Sequence, residues 1–178
     1  MLADPRHSRI VLINLARGEQ ADVLSEVAAR RRASLSLLPA CRQIFEVGTS
    51  AIGEYDPARI PQELAGSISV VDIDGLSFWR DSRSTEPLVA AGRGIVFLGG
   101  AWLEEEVFVA ALEGVRLGYD IRLLADIALA RVEGDRPLVL DRLAQHGVLA
   151  TTVRQTMLEW AVCVDDPVLK QKVQHLLL

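Results

Sequence analysis

The sequence predicts an α/β protein of three layers, in which helices cover both faces of a doubly wound, mainly parallel, six-stranded sheet. Two observations lead to this prediction. Short apolar runs rich in β-branched residues alternate with helical patterns along the whole chain, and the links between them are short. No internal repeat, low-complexity tract or domain linker interrupts this alternation. The 178 residues therefore predict one domain spanning residues 1–178.

The predicted strands follow from the apolar runs. Residues 9–15 form a continuous, β-branched run, which is typical of a central strand buried on both faces. The remaining runs are shorter and are bounded by glycine, proline or aspartate. The six strands are predicted at 9–15, 44–49, 68–73, 94–98, 120–125 and 148–150.

Helical patterns fill the intervals between the strands. Pro39 is expected to break or restart the first helix, because proline lacks the backbone N–H that an interior position donates. The helix that begins at Leu103 carries apolar residues at helical spacing and stops at Gly118. Helices are predicted over 20–43, 84–91, 103–117, 136–146, 151 or 152 to 164, and 167–178, with a helical turn at 60–64.

Composition and charge exclude several classes of protein. Half of the residues are hydrophobic, 24% are charged and the net charge is only −5, as in ordinary globular proteins. The longest basic run, 30–32, continues a helical pattern instead of forming a basic stripe, so we expect no nucleic-acid partner. The first residues lack an apolar core of signal-peptide length, and no run is long enough to span a bilayer. A cytoplasmic protein without membrane contact is expected.

The cysteines and histidines do not predict a metal centre or a disulfide. Cys41 and Cys163 lie far apart inside apolar helical patterns, which favours two buried thiols. The three histidines, His7, His146 and His175, are scattered along the sequence. We therefore expect neither a metal nor a cofactor.

The most informative segment is the glycine turn that follows the strand at 94–98. It continues as Gly-Gly-Ala-Trp-Leu-Glu-Glu-Glu-Val over residues 99–107 and opens a helix. Open α/β folds place reactive groups at such a strand, turn and helix N-terminus, because free backbone N–H groups and the helix dipole stabilise negative charge there. Here that position carries Glu104, Glu105 and Glu106, and neither cysteine nor serine.

These features resemble the isochorismatase-like cysteine hydrolases, especially the nicotinamidase-related branch. The resemblance implies a Rossmann-like fold, a hydrolase ancestry, and a homo-oligomer, because members of the family are commonly oligomeric. It covers most of the chain and is most specific over residues 94–160. It is carried by the strand at 10–15, Trp79, the turn at 100–102, the patterns at 110–119, 124–126, 142–148 and 151–152, and Leu158-Glu159-Trp160.

The family uses an aspartate that ends the first strand, a lysine or another basic residue after the third strand, and a cysteine at the helix N-terminus that forms a thioester. The resemblance places these positions at Asn14, Asp72 and Glu106, so all three residues differ from the family's triad. Asp72 is less firmly aligned than Glu106, and Ile73 or Asp74 is the alternative. Arg80 is the nearest remaining cation in the sequence after the third strand.

The substitutions remove the chemistry of the family. A carboxylate at position 106 is a poor nucleophile toward amides and esters, and it is long enough to turn back onto the N–H groups that would bind an oxyanion. The amide of Asn14 has no basic site to take a proton. The sequence therefore predicts a catalytically inactive relative with a binding or structural role, and a small-molecule ligand at the former active site is a further possibility.

Two other interpretations remain open at this stage. Asp72 and Glu106 with Asn14 would form a new constellation that activates water for an active hydrolase or binds a cation. In a purely structural interpretation, the helix dipole alone favours the three glutamates, by about 0.3–1 kcal/mol each when exposed. Trp79, Trp102 and Leu103 are candidates to line a pocket over position 106, although large aromatic residues near strand ends are as often core or subunit contacts.

Overall fold

Six strands form one parallel sheet in the computed structural model, which describes residues 2–17, 25–90 and 94–178. The predicted fold class is confirmed, because every pair of neighbouring strands is parallel and helices lie on both faces. The strands are β1 (Ser8–Ile13), β2 (Thr49–Ile52), β3 (Ser69–Val71), β4 (Ile95–Gly100), β5 (Asp120–Leu124) and β6 (Leu149–Thr151). Their order across the sheet is β3-β2-β1-β4-β5-β6.

The helices connect successive strands and continue after the last one. They are α1 (Ser25–Phe45), α2 (Gln62–Ala65), α3 (Ser82–Ala90), α4 (Glu106–Arg116), α5 (Arg136–Gln145), α6 (Val153–Val164) and α7 (Pro167–Leu176). Short 3₁₀ turns lie at Pro5–His7, Pro57–Arg59, Gly75–Arg80 and Glu133–Asp135. No helix in the described ranges is long and apolar enough to span a bilayer.

Alternating strand residues point to opposite faces of the sheet and pack into two separate cores, as expected for a sheet buried on both faces. On β1, Ile10 and Leu12 join a core with α1, α6 and α7, in which Trp160 packs against Phe45 and Phe97. Val11 and Ile13 point to the other side and join the core beneath α3, α4 and α5. The central strands therefore hold both helical layers, and this explains their nearly continuous apolar sequences.

The prediction for the second strand was wrong in its boundaries. Ile44 and Phe45 belong to the end of α1, and β2 begins only at Thr49. Packing of Phe45 against Trp160, with ring centroids 5.3 Å apart, outweighs the local β-propensity of these residues. Pro39 does not break the helix, because it lies inside α1. The predicted start of this helix at 20 lies outside the described residues.

The other predicted elements are present, and most have boundaries shifted by one to three residues. The largest of these shifts concerns α4, which begins at Glu106 instead of Leu103. The backbone N–H of Leu103 donates to the carbonyl of Leu129 at 2.7 Å, and Leu129 donates to Gly100 at 2.8 Å. Ala101 therefore forms a parallel bridge with Leu129, and a turn over residues 103–105 separates it from α4. The peptide bond between Ala101 and Trp102 is cis.

Strands β1 and β4 lie side by side at the centre of the sheet, where the chain changes the direction in which it adds strands. Ile13 faces Gly100 in the register of this pair. Gly100 has a φ of +116°, and a Cβ there would lie 1.9 Å from the carbonyl oxygen of Ile13. Only glycine allows this approach of the two backbones.

Substitution of Gly100 by alanine is expected to destabilise the protein by more than about 3 kcal/mol, because backbone strain and a steric clash add together. Gly147→Ala is the matched control: Gly147 also has a positive φ, +84°, but nothing lies within 4 Å of its Cβ position. The control is expected to cost about 1 kcal/mol. Urea unfolding of both variants measures the difference, and equal losses would contradict the proposed close approach.

Candidate functional site

The carboxyl ends of β1 and β4 bring the predicted positions Asn14 and Glu106 to the same place. Asn14 directly follows β1 and has a φ of +48°, and Glu106 is the first residue of α4. Gly75 lies between them: a Cβ on Gly75 would be 3.3 Å from Nδ2 of Asn14 and 3.4 Å from Cβ of Glu106. This is the topological switch point, where open α/β sheets bind ligands.

Asn14 is held by the strand ends around it and is 2% exposed. Its backbone N–H donates to the carbonyl of Ile52 at 2.8 Å, and its Oδ1 accepts from the backbone N–H of Glu54 at 3.0 Å. Gly53 lies close by, because a Cβ there would be 2.2 Å from Oδ1. These contacts fix the orientation of the amide, so that Nδ2 is the group left for another partner. No residue in the described part of the chain accepts from it.

Glu106 forms an ion pair with Arg17. Its Oε1 accepts from Nη1 of Arg17 at 2.5 Å, and the carboxylate side chain is only 12% exposed. Nε of Arg17 donates to Glu54 at 2.8 Å, so the guanidinium bridges two carboxylates. Burial by itself would lower the pKa of Arg17, but the hydrogen bonds to Glu106 and Glu54 outweigh it and raise the pKa. Arg17 therefore stays charged.

This contact corrects the expectation that the Glu106 carboxylate turns back onto backbone N–H groups at the start of α4. A guanidinium is a charged donor, so its hydrogen bond to a carboxylate is stronger than one from a neutral N–H group. The second oxygen, Oε2, is buried and has no partner among the described residues. Arg17 was missed from the sequence, although it follows Asn14 by three positions and therefore lies at the same end of the sheet.

The neighbouring glutamates have partners of their own. The sequence predicted that they lie in the first turn of α4, but Glu104 and Glu105 precede the helix. Glu104 accepts from the backbone N–H groups of Arg131 and Val132 at 2.7 and 3.1 Å. Glu105 pairs with the Arg131 guanidinium at 2.8 Å, and that guanidinium lies 5.1 Å from the centre of the Trp102 ring. These contacts fasten the turn after β4 to the loop after β5.

The structure does not bring Asp72 into contact with Asn14 or Glu106. Asp72 is exposed, and among the described residues it forms no hydrogen bond or ion pair with either of them. The backbone of Ile73 reaches this region instead, since its carbonyl lies 3.6 Å from the Cβ position of Gly53. Arg80 is exposed and points to Glu113 at 3.5 Å. The cation of the site therefore comes from the loop after β1 instead of the segment after β3.

Trp79, Trp102 and Leu103, the residues predicted to line a pocket, are packed against other residues of the protein. Nε1 of Trp79 donates to the carbonyl of Ala110 at 2.7 Å, and its ring lies 4.9 Å from Tyr119 against α4. Leu103 is fully buried in the core beneath α4. Trp102 is 7% exposed and clusters with Ala101, Leu129 and Val27. Of these three, only Trp102 contacts the charged side chains at this end of the sheet.

Neither cysteine belongs to the site. Cys41 is buried in α1, and burial raises the pKa of its thiol to about 12, so it is not a thiolate at neutral pH. Cys163 lies on α6, next to the partly exposed end of that helix. No group of three or more histidine, cysteine, aspartate or glutamate side chains within residues 2–17, 25–90 and 94–178 is arranged to hold a metal ion.

Asp126 follows β5 and has a local structural explanation. Its carboxylate accepts from the hydroxyl of Ser34 at 2.7 Å and from the backbone N–H of Val153 at 3.0 Å. It therefore joins α1 to the first residue of α6. A cleft of about 380 Å³ lies beside this contact and includes Arg30, Thr152 and Arg154.

Comparison with solved structures shows that the fold is shared with isochorismatase-family cysteine hydrolases. The YcaC gene product from Escherichia coli, described as an octameric hydrolase of unknown specificity, superimposes with a TM-score of 0.76 at 16% identity, over 97% of this chain and 89% of that one. A cysteine hydrolase from Pseudomonas syringae gives 0.72 at 14% identity, over 92% and 96%.

The MAR1 ribonuclease from Caenorhabditis elegans has the same fold, with a TM-score of 0.74 at 19% identity, over 99% of this chain and 92% of that one. Further matches include isochorismatase-family proteins and a nicotinamidase. The sequence itself matches no protein-family profile and no curated protein. At these identities the likeness shows the fold alone.

Glu106→Gln is expected to destabilise the protein by about 1–2 kcal/mol, because it removes the charge of a largely buried carboxylate that pairs with Arg17, while keeping the shape of the side chain. Glu105→Gln is the control: its partner Arg131 is 55% exposed and Glu105 itself 39%, so the loss is expected to be below about 0.5 kcal/mol. Chemical unfolding measures both values. Equal losses of stability in the two variants would show that the Glu106 ion pair contributes no more to folding than the exposed pair of Glu105.

Proposed function

We propose that this chain is an isochorismatase-fold protein that has lost cysteine hydrolase activity and that acts as a binding or structural protein. The observation that carries the proposal is the Glu106 carboxylate at the first residue of α4, paired with Arg17 at 2.5 Å. In the resembled family this position holds the cysteine that attacks the substrate carbonyl. A carboxylate bound to a guanidinium has one oxygen engaged, and it is a weak nucleophile toward amides and esters.

Two further features support the loss of the thioester mechanism. Asn14 stands where the family has an aspartate, and its amide cannot take a proton. Cys41 and Cys163, the only two cysteines of the sequence, lie in α1 and α6, away from the start of α4. No thiol is therefore available at the position where the family forms its covalent intermediate.

The alternative is an active hydrolase in which Glu106 activates water. One observation favours it: Oε2 of Glu106 is buried and has no partner among the described residues, so it remains free to accept a proton. The exposed Asp72 gives this alternative no second carboxylate in contact with Glu106. Glu106 alone would have to serve as the base.

Turnover assays distinguish the two functions. We expect the wild-type protein to hydrolyse nicotinamide, small carboxamides and small esters no faster than Glu106→Gln does, because neither protein has a competent nucleophile. The Staphylococcus aureus nicotinamidase serves as the positive control for the assay. Intact-protein mass spectrometry is expected to show no acyl adduct. Turnover in the wild type that collapses in Glu106→Gln would overturn the proposal and establish the water-activating alternative.

We also propose that the protein is a cytoplasmic homo-oligomer. The YcaC gene product is described as octameric, and α6 and α7 carry exposed apolar side chains here. The final helix packs on its own domain through Val173 and Leu177, which leaves Val168 on the outside with 76% exposure. Val162 on α6 is 52% exposed. Such residues are candidates for a subunit contact.

The native mass in solution tests the oligomer. Light scattering is expected to give a multiple of the monomer mass for the wild type and a lower mass for Val168→Asp, because a charge in an apolar contact opposes association. Val89→Asp is the control, since Val89 is 67% exposed on α3 and lies on the other side of the sheet. A wild-type protein of monomer mass, or equal effects of the two substitutions, would contradict this assignment.

A further inference from the structure

Among the buried polar atoms that lack partners within the described chain, one follows the end of β1 and another belongs to the first residue of α4. They are Nδ2 of Asn14, which can only donate, and Oε2 of Glu106, which as a carboxylate oxygen can only accept. Leaving a buried polar group without a partner is destabilising, and more so for a charged group. Most buried polar groups in folded proteins are satisfied, so this pair calls for a physical explanation.

The surrounding contacts determine which atom of each side chain remains free. The backbone N–H of Glu54 donates to Oδ1 of Asn14, so the amide cannot turn its nitrogen to that side without losing the bond. Arg17 occupies Oε1 of Glu106 and leaves Oε2. One donor and one acceptor therefore remain, and both side chains rest on Gly75, where a side chain would come within 3.3 Å of Nδ2 and 3.4 Å of Cβ of Glu106.

We propose that Asn14 and Glu106 form a binding site for one hydroxyl group, supplied by water or by a small alcohol. A hydroxyl oxygen accepts from Nδ2 of Asn14 while its hydrogen is donated to Oε2 of Glu106, so a single group satisfies both side chains. A carboxylate ligand has only acceptors and is repelled by Glu106. An ammonium group has only donors and cannot accept from Asn14.

This inference rests on the proposed function in one respect, because the hydroxyl lies beside Glu106, which under that proposal replaces the family's nucleophile. Its chemistry does not depend on whether any hydrolysis occurs. A water molecule held in this way is structural if the protein is inactive, and it is the molecule that Glu106 would deprotonate if the protein is active. The absence or presence of turnover therefore tests the proposed function, and occupancy between the two side chains tests the hydroxyl site.

A high-resolution crystal structure of the wild-type protein tests the site, with a second crystal soaked in methanol as the alcohol probe. We expect density within hydrogen-bond distance of both Nδ2 of Asn14 and Oε2 of Glu106. A single-atom peak in both crystals identifies water, and density that gains a methyl group after soaking identifies an alcohol site. The proposal is overturned if neither atom has density beside it, if a charged ligand occupies the site, or if Oε2 bonds to the protein instead.

Glu106→Met provides a second test, because methionine fills a similar volume and has no strong acceptor. The hydroxyl density is expected to disappear in this variant while Asn14 keeps its bond to the backbone of Glu54. Glu105→Met is the control and is expected to retain the density. Density that stays at full occupancy in Glu106→Met would show that Asn14 and the backbone hold the molecule without Glu106. That result would refute the proposal that the two side chains form the site together.

Discussion

The close approach of Gly100 to the carbonyl of Ile13 is the constraint on which the rest of the molecule depends. It allows β1 and β4 to pair along their full length at the centre of the sheet, where a Cβ would lie only 1.9 Å from that carbonyl oxygen. Because the chain adds strands in opposite directions from this pair, the segments that follow β1 and β4 diverge above it. Asn14 and Glu106 meet in the space that this divergence creates.

Short contacts offset the acidic charges at this point. Glu54 and Glu106 share Arg17, and Glu104 and Glu105 hold the backbone and the guanidinium of Arg131. Arg131 in turn lies over the ring of Trp102. An acidic helix start thus becomes compatible with burial, because each carboxylate has at least one donor that offsets its desolvation. The same contacts tie the loops after β1, β2, β4 and β5 to one another.

The sequence was sufficient to predict the sheet, the order of its elements and the place of Glu106, because these depend on local patterns: apolar runs, glycine turns and helical spacing. Elements that depend on partners elsewhere in the chain were predicted less well. Phe45 fits a strand pattern locally, but its packing against Trp160 places it in a helix. Residues 101–103 stay outside α4 because the backbone of Leu129 pairs with this segment. The position of Arg17 three residues after Asn14 places it at this end of the sheet, but the sequence does not show whether Arg17 or Arg80 reaches Glu106. The choice depends on which loop lies over α4.

Under the proposed function, a carboxylate stands where the resembled family has its nucleophile, and the start of α4 favours negative charge in either form. The helix dipole stabilises a thiolate or a carboxylate at this position, so the same backbone accepts both. What differs is how the charge is used. A thiolate must keep its electron pair available for a carbonyl carbon, whereas Glu106 engages one oxygen with Arg17 and leaves the other without a partner among the described residues. The fold therefore sets the location of the charge, and the partners of Glu106 decide between catalysis and binding.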